Sequence, residues 1–153
     1  MTSVGSPAPD FTLPNQRGEA VTLSQFQGSP VVLIFFPFAF SPVCTSELCY
    51  LQDHPEAFEK SNAKVVGIST DSHFTLDAFA RQESYDFELL SDFWPHGEVS
   101  RRFGVLAEDG GYARRHTVVL DSRGTVVDTF ESDVTEPRQL ERFEQALAKL
   151  EQN

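Results

Sequence analysis

The stretch that decides the fold is PVVLIFFPFAFSPVCTSELCYLQ, Pro30 to Gln52. Its first part, Pro30 to Phe38, is a continuous apolar run, which is typical of a central strand covered on both faces. Ser41 and Pro42 then provide a favoured helix N-cap and a favoured first helical residue. The stretch therefore predicts a buried strand that leads into a helix, from about Pro42 to Lys60, and both cysteines of the chain lie in that helix.

Strands and helices alternate along the rest of the chain. The residues before this stretch predict an N-terminal hairpin, Phe11 to Leu23, because apolar and polar residues alternate around a turn. The residues after it predict a strand at Ala63 to Thr70, a helix at Asp71 to Ser84, a short strand at Phe87 to Asp92, a short helix ended by Gly104, two strands joined at Ser122 to Gly124, and a C-terminal helix. This order predicts one α/β domain over residues 1–153, with a central mixed sheet flanked by helices as in the thioredoxin fold.

Two of these helices have a predicted inward face. In the helix at Asp71 to Ser84, Asp71 or Ser72 is expected to be the N-cap. The residues expected to face the core are Phe74, Ala78 and Phe79 in this helix, and Leu140, Phe143 and Leu147 in the C-terminal helix.

The amino-acid composition excludes some classes of binding partner. The 153 residues include 23 acidic and 12 basic side chains, for a formal net charge of -11. Such a surface repels phosphate backbones and anionic lipid, so we expect neither nucleic acid nor a membrane as partner. The start of the chain, MTSVGSPAPDF, shows no signal-peptide pattern. We therefore expect a cytoplasmic protein whose two cysteines, too few for a disulfide framework, are normally reduced.

Cys44 is expected in the first turn of its helix. There, unpaired backbone N–H groups and the positive end of the helix dipole favour a thiolate. A free thiol with the ordinary pKa of about 8.5 is only ~3% ionised at pH 7. Since a helix start contributes about 1 kcal/mol, a further cation is expected nearby. The alternative, a small buried hydrophobe, is common for a free cysteine but is less favoured at this position.

Cys49 is expected on a different, exposed face of the same helix, because its same-face neighbours Gln52, Asp53 and Glu56 are polar. In an intact helix the two cysteine Cα atoms would lie about 8–9 Å apart. A disulfide tolerates at most roughly 7 Å. Bonding Cys44 to Cys49 would therefore require the first turns of the helix to unwind.

The segment PFAFSPVC, Pro37 to Cys44, resembles the Pro-x-x-x-Ser/Thr-x-x-Cys active-site motif of peroxiredoxins, which are thiol peroxidases on a thioredoxin-like fold. The resemblance extends over nearly the whole chain. VGSPAPDFTL resembles the opening of the family, and LLSDFWPHGEVSRRFGV resembles the actinobacterial alkyl hydroperoxide reductase E group. RRHTVVLDSRGTV resembles the arginine-bearing strand and hairpin.

The resemblance implies a role for each matching residue. Cys44 resembles the cysteine that attacks peroxide as a thiolate and becomes a sulfenic acid. Ser41 resembles the hydroxyl that hydrogen-bonds the sulfur and the peroxide, and Pro37 the residue that shields the pocket from water. Arg115 resembles the arginine that stabilises the thiolate and the transition state. Arg114 is its rival, and strand alternation allows only one of the two to face Cys44.

The resemblance also implies a reaction cycle. Cys49 stands five residues after Cys44, as in the Q-type peroxiredoxins, and resembles the resolving cysteine that forms an intramolecular disulfide with Cys44. The implied substrates are hydrogen peroxide, organic hydroperoxides or peroxynitrite, and the implied reductant is a thioredoxin- or mycoredoxin-like protein. Two alternatives stay open, namely a one-cysteine peroxidase resolved by an external thiol and a thiol–disulfide carrier on the same fold.

Other residue types point to no additional site. The four histidines, His54, His73, His96 and His116, lack the paired spacing of metal ligands, so neither a metal nor another cofactor is expected. Phe93 and Trp94 have two interpretations that the sequence leaves open. They are either core residues or part of a homodimer interface, which the family resemblance implies near this segment.

Overall fold

The computed structural model describes residues 2–132 and 139–152. The strands within these ranges are β1 (Thr12–Pro14), β2 (Ala20–Thr22), β3 (Val31–Phe35), β4 (Lys64–Ser69), β5 (Glu88–Ser91), β6 (Leu106–Ala107), β7 (Tyr112–Ala113), β8 (His116–Leu120) and β9 (Val126–Glu131). The α-helices are α1 (Pro42–Asp53), α2 (Glu56–Glu59), α3 (His73–Glu83), α4 (Glu98–Arg102) and α5 (Leu140–Ala148).

The strand predicted from the first apolar run, β3, lies at the centre of a five-stranded sheet of order β5-β4-β3-β8-β9. It pairs in parallel with β4 and antiparallel with β8, so the sheet is mixed. All five of its residues are buried. Because side chains alternate along a strand, Val31, Leu33 and Phe35 enter the core on one face, and Val32 and Ile34 enter the core on the other.

The two faces of this sheet are covered differently. Helices α1, α2, α3 and α5 pack on one face, through side chains such as Leu48, Phe79 and Phe143. The β1–β2 hairpin and α4 cover the other face, through side chains such as Leu13 and Val99. This arrangement confirms the predicted thioredoxin-like fold with an N-terminal hairpin. Within the described ranges, no helix has both the length and the apolar composition needed to span a bilayer.

The prediction of a single helix over Pro42 to Lys60 is wrong, because the structure divides it into α1 and α2. His54 ends α1 with φ -125° and ψ 55°, and Pro55 precedes the first residue of α2. A proline disfavours the α conformation in the residue before it and lacks the N–H that would continue the helix. The local rule for proline therefore accounts for the break.

The inward face of α3 also differs from the prediction. Ser72 is the N-cap, and its side chain accepts a hydrogen bond from the Thr75 N–H. The core residues are Leu76, Phe79 and Ala80, whereas Phe74 is 76% exposed and Ala78 is exposed too. The prediction is therefore confirmed for Phe79 and wrong for Phe74 and Ala78, because the buried set follows i, i+3, i+4 spacing from Leu76 rather than from Phe74.

The C-terminal helix, α5, buries two of its three predicted residues, Phe143 and Leu147, together with Ala146. The side chain of Leu140 lies outside the described residues. The sequence analysis also missed the small β6–β7 hairpin that precedes β8. This hairpin ends just before Arg114 and Arg115, so the two arginines lie between β7 and β8 and not within the predicted strand.

Candidate active site

The connection between β3 and α1 places Cys44. Ser41 is the N-cap of α1, with extended backbone, and its Oγ accepts a hydrogen bond of 3.3 Å from the Cys44 N–H. Its carbonyl accepts the first helical hydrogen bond, 2.9 Å, from the Thr45 N–H. Pro42 occupies the first helical position. Cys44 therefore lies in the first turn of α1, as the sequence analysis predicts.

The loop before Ser41 is fastened to the end of β4. The Ala39 N–H donates to Asp71 Oδ2 at 2.9 Å, and the Ser69 hydroxyl donates to the same oxygen at 2.7 Å. Phe40 has φ +68°, in the left-handed region that bulky residues rarely adopt, and its ring packs 5.0 Å from that of Phe79. These contacts hold the loop in one conformation and so fix where α1 begins.

Arg115 meets Cys44 because of the register of the sheet. Phe35, the last residue of β3, pairs with His116, the first residue of β8, so the residue before β8 lies beside the loop that leads to α1. The Arg115 side chain is 1% exposed, and its Nη2 donates to Cys44 Sγ at 3.2 Å. Its carbonyl accepts a 2.8 Å hydrogen bond from the Ser132 N–H. The backbone that carries this guanidinium is therefore anchored at the end of β9.

Arg114 points away from the sulfur. Its Nε donates to Glu131 Oε1 at 2.9 Å, and its Nη2 donates to the Gly104 carbonyl at 2.8 Å. Burial alone would raise the pKa of Glu131, but hydrogen bonds from Arg114 and His116 outweigh it and hold that pKa below its usual value. Of the two rival arginines, Arg115 is the one that contacts Cys44.

A cleft of about 280 Å³ opens beside this contact. Its lining residues are Pro37, Phe38, Ser41, Pro42, Val43, Tyr112 and Arg115. Cys44 itself is 0% exposed and lies behind Ser41 and Arg115. The sequence analysis missed Tyr112, whose ring centroid is 5.1 Å from that of Phe38. Its position three residues before Arg115 is the only signal for it in the sequence.

Cys49 is half-buried, so the prediction that it is exposed is wrong. Its thiol donates to Glu83 Oε2 at 3.3 Å and lies 3.4 Å from the Tyr85 hydroxyl. The polar neighbour Gln52 does not simply face water, since its amide donates to the Ser84 carbonyl at 2.9 Å. Residues 83–86 thus cover the part of α1 around Cys49 and Gln52, and burial raises the pKa of Cys49.

Phe93 and Trp94 are 52% and 79% exposed, so their interpretation as core residues is wrong. Both belong to the turn between β5 and α4. Their exposure is compatible with the interface interpretation.

The arrangement around Cys44 suits a reaction that places negative charge on sulfur and on an adjacent atom. A helix start and a buried guanidinium both stabilise negative charge that develops on a neighbouring atom during a reaction. Fixed N–H donors in a water-poor site also stabilise charge that develops during a reaction, without reorganisation of solvent. A nucleophilic cysteine with these neighbours can displace a leaving oxygen.

Comparisons with known proteins agree with this chemistry. The model of the AhpC/TSA family matches residues 4–129. Alkyl hydroperoxide reductase E of Mycobacterium tuberculosis is 44% identical over 127 residues, which is 82% of this chain and 83% of that protein. The chloroplastic peroxiredoxin Q of Sedum lineare is 43% identical over 123 residues, or 80% of this chain and 65% of that protein.

A solved structure has the same fold over the whole chain. The crystal structure of peroxidoxin BcpB from Mycobacterium tuberculosis superimposes with a TM-score of 0.86 at 34% identity, covering 99% of this chain and 98% of that one. The family match, the sequence identities and the shared fold therefore point to the same family. The chain belongs to the AhpC/TSA family and is a peroxiredoxin, a thiol peroxidase.

Proposed function

We propose that this peroxiredoxin reduces hydrogen peroxide, organic hydroperoxides or peroxynitrite through Cys44. The thiolate sulfur attacks the nearer oxygen of the protonated peroxide and the O–O bond breaks; a hydroxide or alkoxide leaving group then takes up a proton, whereas nitrite leaves as the anion. The products are a Cys44 sulfenic acid and water, an alcohol or nitrite. Arg115 and Ser41 assist this step, and Pro37 helps to exclude bulk water from the sulfur.

The observation that carries the proposal is the 3.2 Å contact between Arg115 Nη2 and Cys44 Sγ. Both residues are buried, so water screens the interaction little. The helix start alone contributes about 1 kcal/mol to an anionic sulfur, and the guanidinium is the further cation that the sequence analysis expects.

The cleft determines how peroxide reaches the sulfur. Because Cys44 has no exposed surface, the peroxide must pass the side chains that separate it from the cleft. Phe38, Val43 and Tyr112 make the walls of this cleft largely apolar. Such walls suit the alkyl part of an organic hydroperoxide, while Ser41 and Arg115 offer polar groups to the peroxide oxygens.

Cys49 completes the cycle. Its thiol condenses with the Cys44 sulfenic acid, an S–S bond forms, and water leaves. A thioredoxin- or mycoredoxin-like dithiol protein of the cytoplasm then reduces the disulfide. Both cysteines lie in α1, so the first turn of α1 must unwind for this bond to form.

Stopped-flow mixing with peroxide tests the peroxidase step. We expect the parent protein to lose Cys44 thiol, one equivalent per peroxide, much faster than free cysteine does at the same pH, and Cys44→Ser to abolish this loss. A thiol–disulfide carrier would instead react with peroxide at the rate of free cysteine. That rate in the parent protein would contradict the proposal.

Mass spectrometry after peroxide treatment tests the role of Cys49. We expect a disulfide in the parent protein, and in Cys49→Ser a Cys44 that proceeds to sulfinic acid although its first oxidation is unchanged. Equal sulfinic acid in both proteins would remove Cys49 from the cycle and favour resolution by an external thiol.

We infer a homodimer in which Phe93 and Trp94 contribute to the interface. Exposed aromatic side chains are enriched at protein interfaces, and these two are adjacent on one turn. Sedimentation analysis should show a dimer for the parent protein and a monomer for Trp94→Asp. A parent protein that is monomeric at all concentrations would refute the inference.

A further inference from the structure

The resolving sulfur has its own set of polar contacts, distinct from those of Cys44. The Cys49 thiol donates to Glu83 Oε2 at 3.3 Å, and the Tyr85 hydroxyl lies 3.4 Å from the same sulfur. The Tyr85 hydroxyl also donates, at 3.1 Å, to the carbonyl of Thr45 in the first turn of α1. Tyr85 therefore touches both the sulfur that must react second and the turn that must open first.

The positions of the protons in this cluster indicate which protonation state of Cys49 it favours. An ionised carboxylate only accepts, so the single proton of Cys49 lies toward Glu83. The single proton of Tyr85 is shared between the Thr45 carbonyl at 3.1 Å and the Cys49 sulfur at 3.4 Å. While the Thr45 carbonyl competes for this proton, the sulfur has only a shared donor, whereas its own proton is held by a carboxylate. While α1 is intact, the cluster therefore favours a neutral thiol.

Unwinding of the first turn of α1 changes which groups donate a hydrogen bond to Cys49. When the first turn of α1 opens, the Thr45 carbonyl leaves the Tyr85 hydroxyl, whose proton becomes available to the sulfur 3.4 Å away. A donor favours a thiolate, and a neighbouring carboxylate disfavours it. The motion that allows the two sulfurs to meet thus also supplies the donor that Cys49 needs.

We propose that Glu83 and Tyr85 control the resolving step in opposite directions, Glu83 holding Cys49 as an unreactive thiol and Tyr85 donating to its thiolate once α1 unwinds. The inference rests on the proposed role of Cys49 in the cycle. In the step, the Cys49 thiol loses its proton to water, and its sulfur bonds to Cys44 Sγ. The S–O bond of the sulfenic acid breaks, and the departing hydroxide is protonated to water.

Each group around Cys49 shifts the pKa of this thiol in the direction that the proposal requires. The titratable groups that face Cys49 among the described residues are Glu83, Tyr85 and Asp53. Burial makes the largest contribution to the raised pKa of Cys49, and Glu83 and Asp53 raise it further. The hydrogen bond with Tyr85 lowers it.

The test compares two conservative variants, Glu83→Gln and Tyr85→Phe, by rapid mixing with one equivalent of peroxide at pH 5.5 to 9.5. Samples are quenched in acid, and sulfenic acid and disulfide are quantified by mass spectrometry. For Glu83→Gln we expect the pH midpoint of disulfide formation to fall by about one unit, and the rate at pH 7 to rise roughly tenfold. For Tyr85→Phe we expect the midpoint to rise and the rate at pH 7 to fall.

The pH midpoint of disulfide formation distinguishes an effect of Glu83 and Tyr85 on the ionisation of Cys49 from a purely structural effect. Loss of the Tyr85 hydroxyl also loosens the first turn of α1, which would raise the plateau rate at high pH without moving the midpoint. Asp77→Asn is the matched control for a charge change on α3, because Asp77 pairs with exposed Arg81. Tyr50→Phe is the matched control for loss of a hydroxyl, since Tyr50 is exposed on α1. Both controls should keep the parent midpoint.

A second measurement needs no peroxide. In a Cys44→Ser background Cys49 is the only thiol, and its alkylation rate against pH reports its ionisation directly. Adding Glu83→Gln should shift this profile to lower pH. Unchanged midpoints in both assays, with normal sulfenic acid formation, would overturn this inference and leave the peroxidase proposal standing. Absence of sulfenic acid in the parent protein would instead refute the peroxidase proposal.

Discussion

Replacing Arg115 tests the contact on which the proposed peroxidase depends. Arg115→Met keeps a long unbranched side chain in the buried space but removes the charge and the donor that lies 3.2 Å from Cys44 Sγ. Loss of one fixed donor to a developing negative charge costs about 2.7–4 kcal/mol in well-studied sites. At about 1.36 kcal/mol per tenfold, the second-order rate constant with peroxide should fall roughly 100- to 1000-fold.

The assay is stopped-flow oxidation of Cys44 under pseudo-first-order conditions, with peroxide in excess and the rate constant taken from the slope against concentration. Arg114→Met is the matched control, because it removes the same chemical group one residue earlier. The Arg114 guanidinium binds Glu131 and backbone carbonyls rather than the sulfur. We therefore expect its rate constant to stay within about threefold of the parent value, as for a surface ion pair.

Arg115→Lys distinguishes charge from geometry. A lysine ammonium keeps the positive charge but lacks the planar set of donors with which a guanidinium can hold two atoms at once. Its rate constant should lie between those of Arg115→Met and the parent protein. If Arg115→Met reacted at the parent rate, or if Arg114→Met were the crippled variant, Arg115 could not be the group that activates Cys44.

Three further predictions concern the frame around the site. Ser41→Ala removes the side-chain oxygen that accepts the hydrogen bond from the Cys44 N–H. It should lower the unfolding free energy, measured in urea, by about 1 kcal/mol and should slow the reaction with peroxide. Ser41→Thr should preserve the stability and the rate. Burial raises the pKa of Asp128, but Arg142 and Lys149 outweigh it, so that pKa lies below its usual value. The stability that this carboxylate contributes is therefore present above about pH 4 and is lost as the pH falls through the folded-state pKa. Asp128→Asn should lower the unfolding free energy by about 2 kcal/mol at pH 7, a value between those of exposed and buried ion pairs. The loss should become progressively smaller in acid. Phe79→Ala should cost about 3–5 kcal/mol and Phe74→Ala less than about 1 kcal/mol in the same urea titration, since only Phe79 is buried; similar losses would place Phe74 in the core.

The position of Cys44 in the first turn of α1 could be predicted from the sequence because local rules determine where this helix begins. A serine followed by proline after an apolar run specifies a helix start, whatever packs around it. Cys44 then falls in the first turn by counting. Strand alternation also predicts that Arg114 and Arg115 face opposite ways, although both precede β8 rather than lying in it. Which of the two faces the sulfur follows only from the family spacing, since single-sequence patterns do not give sheet register.

The residues whose environment the sequence mispredicts depend on partners that are distant in the chain. The aromatic side chain of Phe74 suggests a core position, yet the packing stripe of α3 is set by where the sheet lies. The polar helix neighbours of Cys49 suggest solvent exposure. One of those neighbours, Gln52, binds Ser84, and Cys49 itself binds Glu83, both more than thirty positions away in the chain, whereas Asp53 and Glu56 are exposed. A polar helix face has the same sequence pattern whether it meets water or another polar segment.

The half-buried position of Cys49 bears on the roles that we propose for the two cysteines. They share one helix, yet Cys44 meets a guanidinium at 3.2 Å and Cys49 meets a carboxylate at 3.3 Å. In the proposed cycle the guanidinium stabilises the charge that develops when Cys44 attacks peroxide, whereas burial and the carboxylate raise the pKa of Cys49, so Cys44 reacts first while α1 is intact. An exposed Cys49 with no carboxylate would compete for peroxide and would attack the sulfenic acid whenever the helix opened. In the cycle that we propose, the anionic neighbour therefore gives the two sulfurs an order of reaction that helix geometry alone does not provide.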